Sequence, residues 1–306
     1  MLKQSQVQRY AHESGLKDLM IAEREVILTF VLQLLAEKGV LAKLAFKGGT
    51  CIRKMFLGAP GRFSTDLDFT SLTQEQPDDL ILELLQAFEQ PYHDIQFEIP
   101  DKGWYTTSGG LSWAVNPVYR HEWNTGGASQ FEFQVSHRET PTLEAETVPQ
   151  REQSYFKHLP FVPVEIRCLS LAEILAEKIR ASYQRNKARD IYDLGIFAST
   201  PFDRVLVRRL VVLKLWQARD AFDPEALLAK FEDARSFDWD DLAQLVRKNQ
   251  DVSRDRIVAE CVNGYAFLRE LSPDERTLAQ DRYQRERTLW QRLSDECRAM
   301  ISQKLP

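Results

Sequence analysis

The chain has 306 residues, 43% hydrophobic and 28% charged, with 40 Lys/Arg against 45 Asp/Glu and a net charge of −5. That length buries a sizeable core in one large or two modest domains, and the acidic balance argues against broad, nonspecific affinity for nucleic acid. The opening MLKQSQVQRY lacks a signal-peptide core, no run of about 18 apolar residues offers a membrane span, and the four cysteines (51, 168, 261, 297) form no CxxC pair. A cytoplasmic protein without disulfides, structural zinc or a membrane anchor is expected.

Taken in chain order, residues 19–38 repeat apolar positions at helical spacing, and Gly39 is placed to end that helix. A short apolar run, 41–46, leads as a strand or its approach into Gly48-Gly49-Thr50. A glycine pair lets backbone come close to a phosphate, and Thr50 adds a hydroxyl at the start of a helix predicted over 51–57. Ala59-Pro60-Gly61 turns the chain into a strand over 63–70 that alternates strictly. Phe63, Thr65, Leu67 and Phe69 face one way, while Ser64, Asp66, Asp68 and Thr70 face the other. Carboxylates at i and i+2 on one face repel unless a cation sits between them, and hard oxygen ligands suit Mg²⁺. A phosphate cradle leading into a metal-holding strand is equipment for nucleotidyl transfer. GGTCIRK lacks the GxxxxGK[ST] spacing of a P-loop NTPase.

Pro77 precedes an amphipathic helix over 78–89, and residues 95–99 and 131–135 alternate as antiparallel strands. Between them lies a Gly/Ser/Trp-rich tract, 102–129, whose Trp104, Tyr105, Trp113, Tyr119 and Trp123 either stack nucleic-acid bases or belong to a core. Residues 137–163 contain four prolines and read as a loop or domain boundary. From Ser170 onward the pattern is helical, with capping boxes at Ser170/Glu173 and at Ser272-Pro273-Asp274-Glu275.

The helix that starts at Ser170 puts Leu171, Ile174, Leu175, Ile179 and Ser182 on one stripe, with Lys178 in its middle and Glu173, Glu177 and Arg180 opposite. The next tract, Arg189-Asp190-Ile191-Tyr192-Asp193-Leu194, places Asp190 on the face of Leu194 and Phe197. Two readings follow. Lys178 and Asp190 pair with each other as a half-buried salt bridge, or Lys178 meets a triphosphate while Asp190 shapes the metal and nucleophile site. Residues 178–219 hold ten Lys/Arg against three Asp, either a solvated helical face or a basic surface for triphosphate or RNA.

Together FKGGTCIRK (46–54), RFSTDLDFT (62–70), LAEILAEKIRA (171–181) and KARDIYDL (187–194) resemble the AbiEii/AbiGii toxin family, over about residues 20–200. The resemblance implies an α+β fold: a polymerase-β-like nucleotidyltransferase core with a small mixed sheet, then a helical C-terminal domain. The domains implied are 1–165 and 166–306, the second contributing to the active site. It implies a Mg²⁺-dependent toxin that transfers nucleotides from an NTP to the 3′ end of tRNA, opposed by a cognate antitoxin. Asp66 and Asp68 would hold metal, and Lys178 and Asp190 would complete the catalytic set, Asp193 being either a substitute for Asp190 or a structural carboxylate of the same tract. Gly48, Gly49, Thr50, Arg62, Ser64, Lys178 and Arg189 would bind the nucleotide. A third carboxylate is open among Glu132, Glu98 and Asp190, with the neutral Gln134 a competitor for Glu132's place. Alternatives are a protein side chain as acceptor, or a non-catalytic nucleotide- or partner-binding member. Trp290 and the Arg-rich stretch 282–292 either dock the antitoxin or pack on the catalytic domain.

Overall fold

Period-two alternation between residues 44 and 136 builds the sheet at the centre of the first of two units. The computed structural model describes residues 1–16, 18–73, 77–101, 103–106, 111–124, 129–138, 140–248 and 252–302. The first unit comprises residues 1–140, 145–169 and 244–250; the second comprises 141–144, 170–243 and 251–306.

In the first unit, helices α1 (Gln4–Glu13) and α2 (Leu19–Glu37) precede strand β1 (Leu44–Lys47). The Asp18 side chain caps α2 by accepting from the Met20 N–H, and the helix is buried along most of its length. Helix α3 (Gly48–Cys51) runs on into a π-helical segment, Ile52–Leu57, before strand β2 (Leu67–Ser71) and helix α4 (Pro77–Ala87). Eight strands follow: β3 (Gln96–Glu98), β4 (Trp104–Thr106), β5 (Ser112–Val115), β6 (Val118–Arg120), β7 (Ser129–Gln130), β8 (Phe133–Ser136), β9 (Glu146–Val148) and β10 (Ile166–Cys168). The main sheet is mixed, in the order β4-β5-β8-β2-β1-β10-β9, with β2–β8 and β1–β10 parallel; β3-β6-β7 form a second sheet.

Three expectations change. The 131–135 segment becomes β8, parallel to β2, whereas 95–99 becomes β3 in the other sheet, so the two are not an antiparallel pair. The Gly/Ser/Trp-rich tract supplies β4, β5 and β6, because short strands between turns leave too little periodicity to read; its residues 102, 107–110 and 125–128 lie outside the described residues. Helix α1 was not anticipated either, since polar QSQVQRYAHE buries only Val7 and Tyr10.

The second unit is helical: α5 (Leu171–Gln184), α6 (Ala188–Ala198), α7 (Arg204–Gln217), α8 (Pro224–Glu232), α9 (Asp240–Ala243), α10 (Arg254–Gly264), α11 (Pro273–Gln280) and α12 (Arg287–Ser302). Helix α5 packs on both α6 and α7, so two of its faces are covered. The Ser272/Glu275 box forms in both directions. At Ser170 only the serine half forms, because the Glu173 carboxylate instead binds Lys214 at 2.5 Å and the Leu143 N–H at 2.8 Å. Glu173 and Arg180 are therefore buried on the face opposite the apolar stripe. Among the described residues no helix is long and apolar enough to cross a membrane.

Candidate active site

Strand register gives the main sheet one apolar and one polar face. On the apolar face Phe46, Phe69, Phe133, Trp113 and Trp104 form a ladder with successive ring centroids 5.1, 5.1, 6.0 and 5.4 Å apart. On the other face the paired positions are Lys47–Asp68, Asp68–Gln134, Gln134–Ala114 and Ala114–Tyr105. Asp66, Asp68, Glu132 and Gln134 are all half-buried, while Leu67, Phe69, Phe133 and Val135 are fully buried. Burial of the ladder therefore fixes where the carboxylates point: a one-residue slip would put them into the core.

The glycine pair sits directly on this row. Gly48 has φ 77°, and a Cβ there would lie 2.2 Å from Asp68 Oδ2, so only glycine fits both the backbone and the space. A Cβ on Gly49 would lie 2.6 Å from Arg62 Nη2 and 2.9 Å from Ser64 Oγ. Arg62 and Ser64 are both buried, and Arg62 Nη1 donates to the Phe63 carbonyl. Thr50 is buried, with its hydroxyl donating to the backbone carbonyl of Asp66. GGT and DLD are thus one assembly, fastened through Gly48–Asp68 and Thr50–Asp66.

Asp66 and Asp68 offer only oxygen donors, and Thr65 Oγ1 lies 3.2 Å from Asp66 Oδ1. Among the described residues no group of three or more His, Cys, Asp or Glu gathers around a common metal position. Two carboxylates nevertheless suit Mg²⁺, which is commonly bound by one or two carboxylates and completed by waters and substrate phosphates. For the third carboxylate, Gln134 is the residue beside Asp68, and continuing the register by one position aligns Glu132 with Asp66. The Leu67 N–H donates to the Glu132 carbonyl at 2.8 Å. The Glu132 side chain accepts from the Tyr105 hydroxyl at 2.5 Å. Burial, then Glu132, then Asp66 and Asp68, push the Tyr105 phenol up to about 12. Glu98 lies in the other sheet, 3.5 Å from Arg120 on an exposed edge, and is no neighbour of the pair.

In the second unit, Lys178 Nζ lies 3.0 Å from Asp190 Oδ1 and 2.9 Å from Asp193 Oδ2. Arg185 grips Asp190 from Nε at 2.7 Å and Nη2 at 3.0 Å. Burial would raise the Asp190 carboxyl, but Lys178 and Arg185 outweigh it and hold the group well below the usual carboxylate range. The salt-bridge reading of Lys178 and Asp190 is thus the arrangement seen, with Asp193 as a second anion and Arg185 as a second cation. Arg189 is half-buried at the start of α6.

The basic run 178–219 does not form a continuous basic surface. Lys214 is buried against Glu173 and Glu177, and Arg208 and Arg209 bind Glu275, with Arg209 also 3.0 Å from Glu296. The compensating acids lie outside the run, Glu173 and Glu177 just ahead of it and Glu275 and Glu296 well beyond it, so a charge count over the run alone suggests an exposed patch. Trp113 and Tyr119 are buried, so base stacking is not open to them, and Trp290 stacks on Trp216 at 5.6 Å. Sequence reasoning missed Lys47 and Arg185 and considered Tyr105 only for base stacking or a core. The LAFK alternation could have flagged Lys47, whereas only the folded register brings Tyr105 to Glu132.

A family model described as nucleotidyl transferase AbiEii toxin, type IV TA system, matches residues 31–306. Among solved structures, the chain is similar to MenT4, a nucleotidyltransferase toxin from Mycobacterium tuberculosis H37Rv, at 27% identity and a TM-score of 0.81, covering 97% of this chain and 100% of that one. A candidate nucleotidyltransferase from H. pylori superposes with a TM-score of 0.50 at 18% identity, over 82% of this chain and 96% of that one, a likeness of fold alone. No curated protein matches.

Proposed function

Because the chain belongs to the AbiEii family of nucleotidyltransferase toxins of type IV toxin–antitoxin systems, we propose that it transfers nucleotides from an NTP to the 3′ end of tRNA in a Mg²⁺-dependent reaction in the cytoplasm. One observation carries the catalytic part of this reading: the glycine turn at 48–49 closes directly on Asp68, on the same polar face as Asp66 and Glu132. In it Asp66 and Asp68 hold the metal, and bound Mg²⁺ supplies positive charge at the phosphates. Gly48, Gly49 and Thr50 form the phosphate turn, flanked by Arg62 and Ser64. Glu132 receives the proton of the attacking hydroxyl, with Tyr105 orienting its carboxylate. Lys178 and Arg189 are the cations assigned to the triphosphate, and Asp190 and Asp193 hold the Lys178 ammonium in place. The family implies an antitoxin as protein partner.

The tRNA acceptor rests on the family resemblance and not on surface charge. Engagement of Arg208, Arg209 and Lys214 in ion pairs favours a second reading, in which the acceptor is a hydroxyl on a protein side chain. Purified protein incubated with labelled NTPs and tRNA should label the RNA, and Asp68→Ala should not. Transfer that survives RNase treatment of a lysate would move the assignment to protein; identical blanks from wild type and Asp68→Ala would defeat both readings.

A further inference from the structure

Beneath the glycine turn the first unit buries three charges together. Arg53, Lys54 and Glu25 are each about 1% exposed. Arg53 Nε donates to Glu25 Oε2 at 3.0 Å, and its Nη2 donates to the Tyr10 hydroxyl at 3.2 Å. Its Nη1 donates to the carbonyls of Gly58 at 3.2 Å and Gly61 at 2.7 Å. The guanidinium also lies 3.8 Å over the Phe63 ring. Lys54 Nζ is satisfied separately, by the Glu25 carbonyl, Glu25 Oε1, Thr29 and the Tyr155 hydroxyl.

A buried ion cluster is costly to desolvate, and an apolar replacement is often as stable, so its retention asks for a reason beyond stability. The geometry supplies one. Arg53 grips residue 61 through its carbonyl and residue 63 through its ring, leaving residue 62 fixed between them. Residue 62 is Arg62, whose guanidinium fills the space above Gly49. Arg53 is itself held by Tyr10 of α1 and Glu25 of α2, both ahead of the family-matched span.

We propose that the N-terminal helix pair shapes the nucleotide-binding turn, with Arg53 as the positioning residue that aims Arg62 at the triphosphate. The inference rests on the assignment of Gly49 and Arg62 to the nucleotide. Arg53 touches no substrate; it acts through residues 61–63. The planar guanidinium matters because it serves a carboxylate, a phenol, two carbonyls and a ring at once, which an ammonium cannot do.

The test uses the full-length chain with Mg²⁺ and each of ATP, GTP, CTP and UTP, following binding by calorimetry and transfer by initial rates. Arg53→Lys should raise both Kd and KM for the NTP about tenfold, with kcat changed less than about twofold. Tyr10→Phe keeps the edge contact with Tyr155 at 4.6 Å, removes only the hydroxyl, and should raise KM about threefold. In an Arg62→Ala background neither change should raise KM further, because the residue they aim is gone. Tyr10→Phe carries the same cycle should Arg53→Lys fail to fold. Lower thermal stability with unchanged KM, or KM effects that persist in Arg62→Ala, would overturn the positioning role alone. A wild-type chain that binds none of the four NTPs would instead defeat the nucleotide assignment, and this inference with it.

Discussion

Gly48 and Asp68 share a space that holds only one side chain: the Asp68 carboxylate stands 2.2 Å from where a Gly48 Cβ would be. β1 and β2 place residues 47 and 68 opposite each other, and the φ of 77° at Gly48 then turns the chain across the carboxylate into α3. Gly48→Ala should therefore cost about 1–3 kcal/mol of stability, from left-handed strain and the displaced Asp68. It should also reduce transfer by about 100-fold or more, since Asp68 must leave its place. Denaturant unfolding and NTP incorporation check the two effects, and a variant with wild-type turnover would separate the turn from the site.

Asp66 and Asp68 are the oxygen donors of the polar face. Chelation with EDTA should abolish transfer, and added Mg²⁺ should restore it. Asp66→Asn and Asp68→Asn should each lower the rate on the order of 1,000-fold, the several kcal/mol that a polarising cation supplies. Titration with Mn²⁺ gives a readout independent of turnover: affinity should fall in both variants. Full activity in EDTA would exclude the metal.

The Thr50 hydroxyl is engaged with the Asp66 carbonyl, which ties the phosphate turn to the carboxylate strand. Thr50→Val keeps the shape and leaves that half-buried carbonyl short of a donor, at a cost of about 1–2 kcal/mol. If the hydroxyl holds the strand rather than the phosphate, Thr50→Val should weaken Mn²⁺ binding at least as much as it raises KM for NTP. A large KM effect with unchanged Mn²⁺ affinity would return Thr50 to phosphate contact.

The pH dependence of stability should carry the mark of Asp190. Its carboxyl is buried, which alone raises its pKa, yet Lys178 and Arg185 pull it well below the ordinary value of about 3.9. As pH falls the unfolded chain takes up that proton first. The stabilisation is therefore complete above the ordinary carboxylate pKa and is lost as pH drops through it toward the lower folded value. Asp190→Asn should be less stable by about 3 kcal/mol at neutral pH, since Lys178 keeps Asp193 but Arg185 loses its bidentate partner. Melting curves taken from about pH 7 down to pH 3 should converge. Parallel curves would show that Asp190 contributes no proton linkage.

The legible parts of the sequence were those in which one periodicity or one steric rule dominates. Helix 19–38 announced itself by its apolar content, and the 63–70 alternation by its two faces, although regular pairing begins only at Leu67. That GGT and DLD lie together follows from β1–β2 pairing, which two nearby strand patterns already suggest. The rest depends on long-range register. Whether Gln134 or Glu132 lies beside Asp68 is a two-residue shift of parallel pairing that keeps both on the polar face, which a local pattern cannot decide. Tyr105 reaches Glu132 only because Ala114, small and paired with both Tyr105 and Gln134, leaves room over β5. The basic run misled for the opposite reason: charges close in sequence were neutralised by Glu173, Glu275 and Glu296.

Lys214 and Glu173 decide what that basic run is for. Their 2.5 Å contact is almost wholly buried, and Glu177 lies 3.5 Å from the same ammonium. Lys214→Met leaves Glu173 charged and buried with only the Leu143 N–H as a described partner from another segment, and should cost about 3–5 kcal/mol. Glu173→Leu alone should also be harmful, because it removes the shorter of the two carboxylate contacts to the lysine. The double variant should recover much of the loss, since an apolar pair of similar volume avoids desolvating two ions. Throughout the series, KM for an RNA acceptor should stay within about twofold of wild type wherever the protein is folded. A Lys214→Met protein of normal stability but poor RNA affinity would reverse this assignment, placing the cation in acceptor recognition rather than in the helical core.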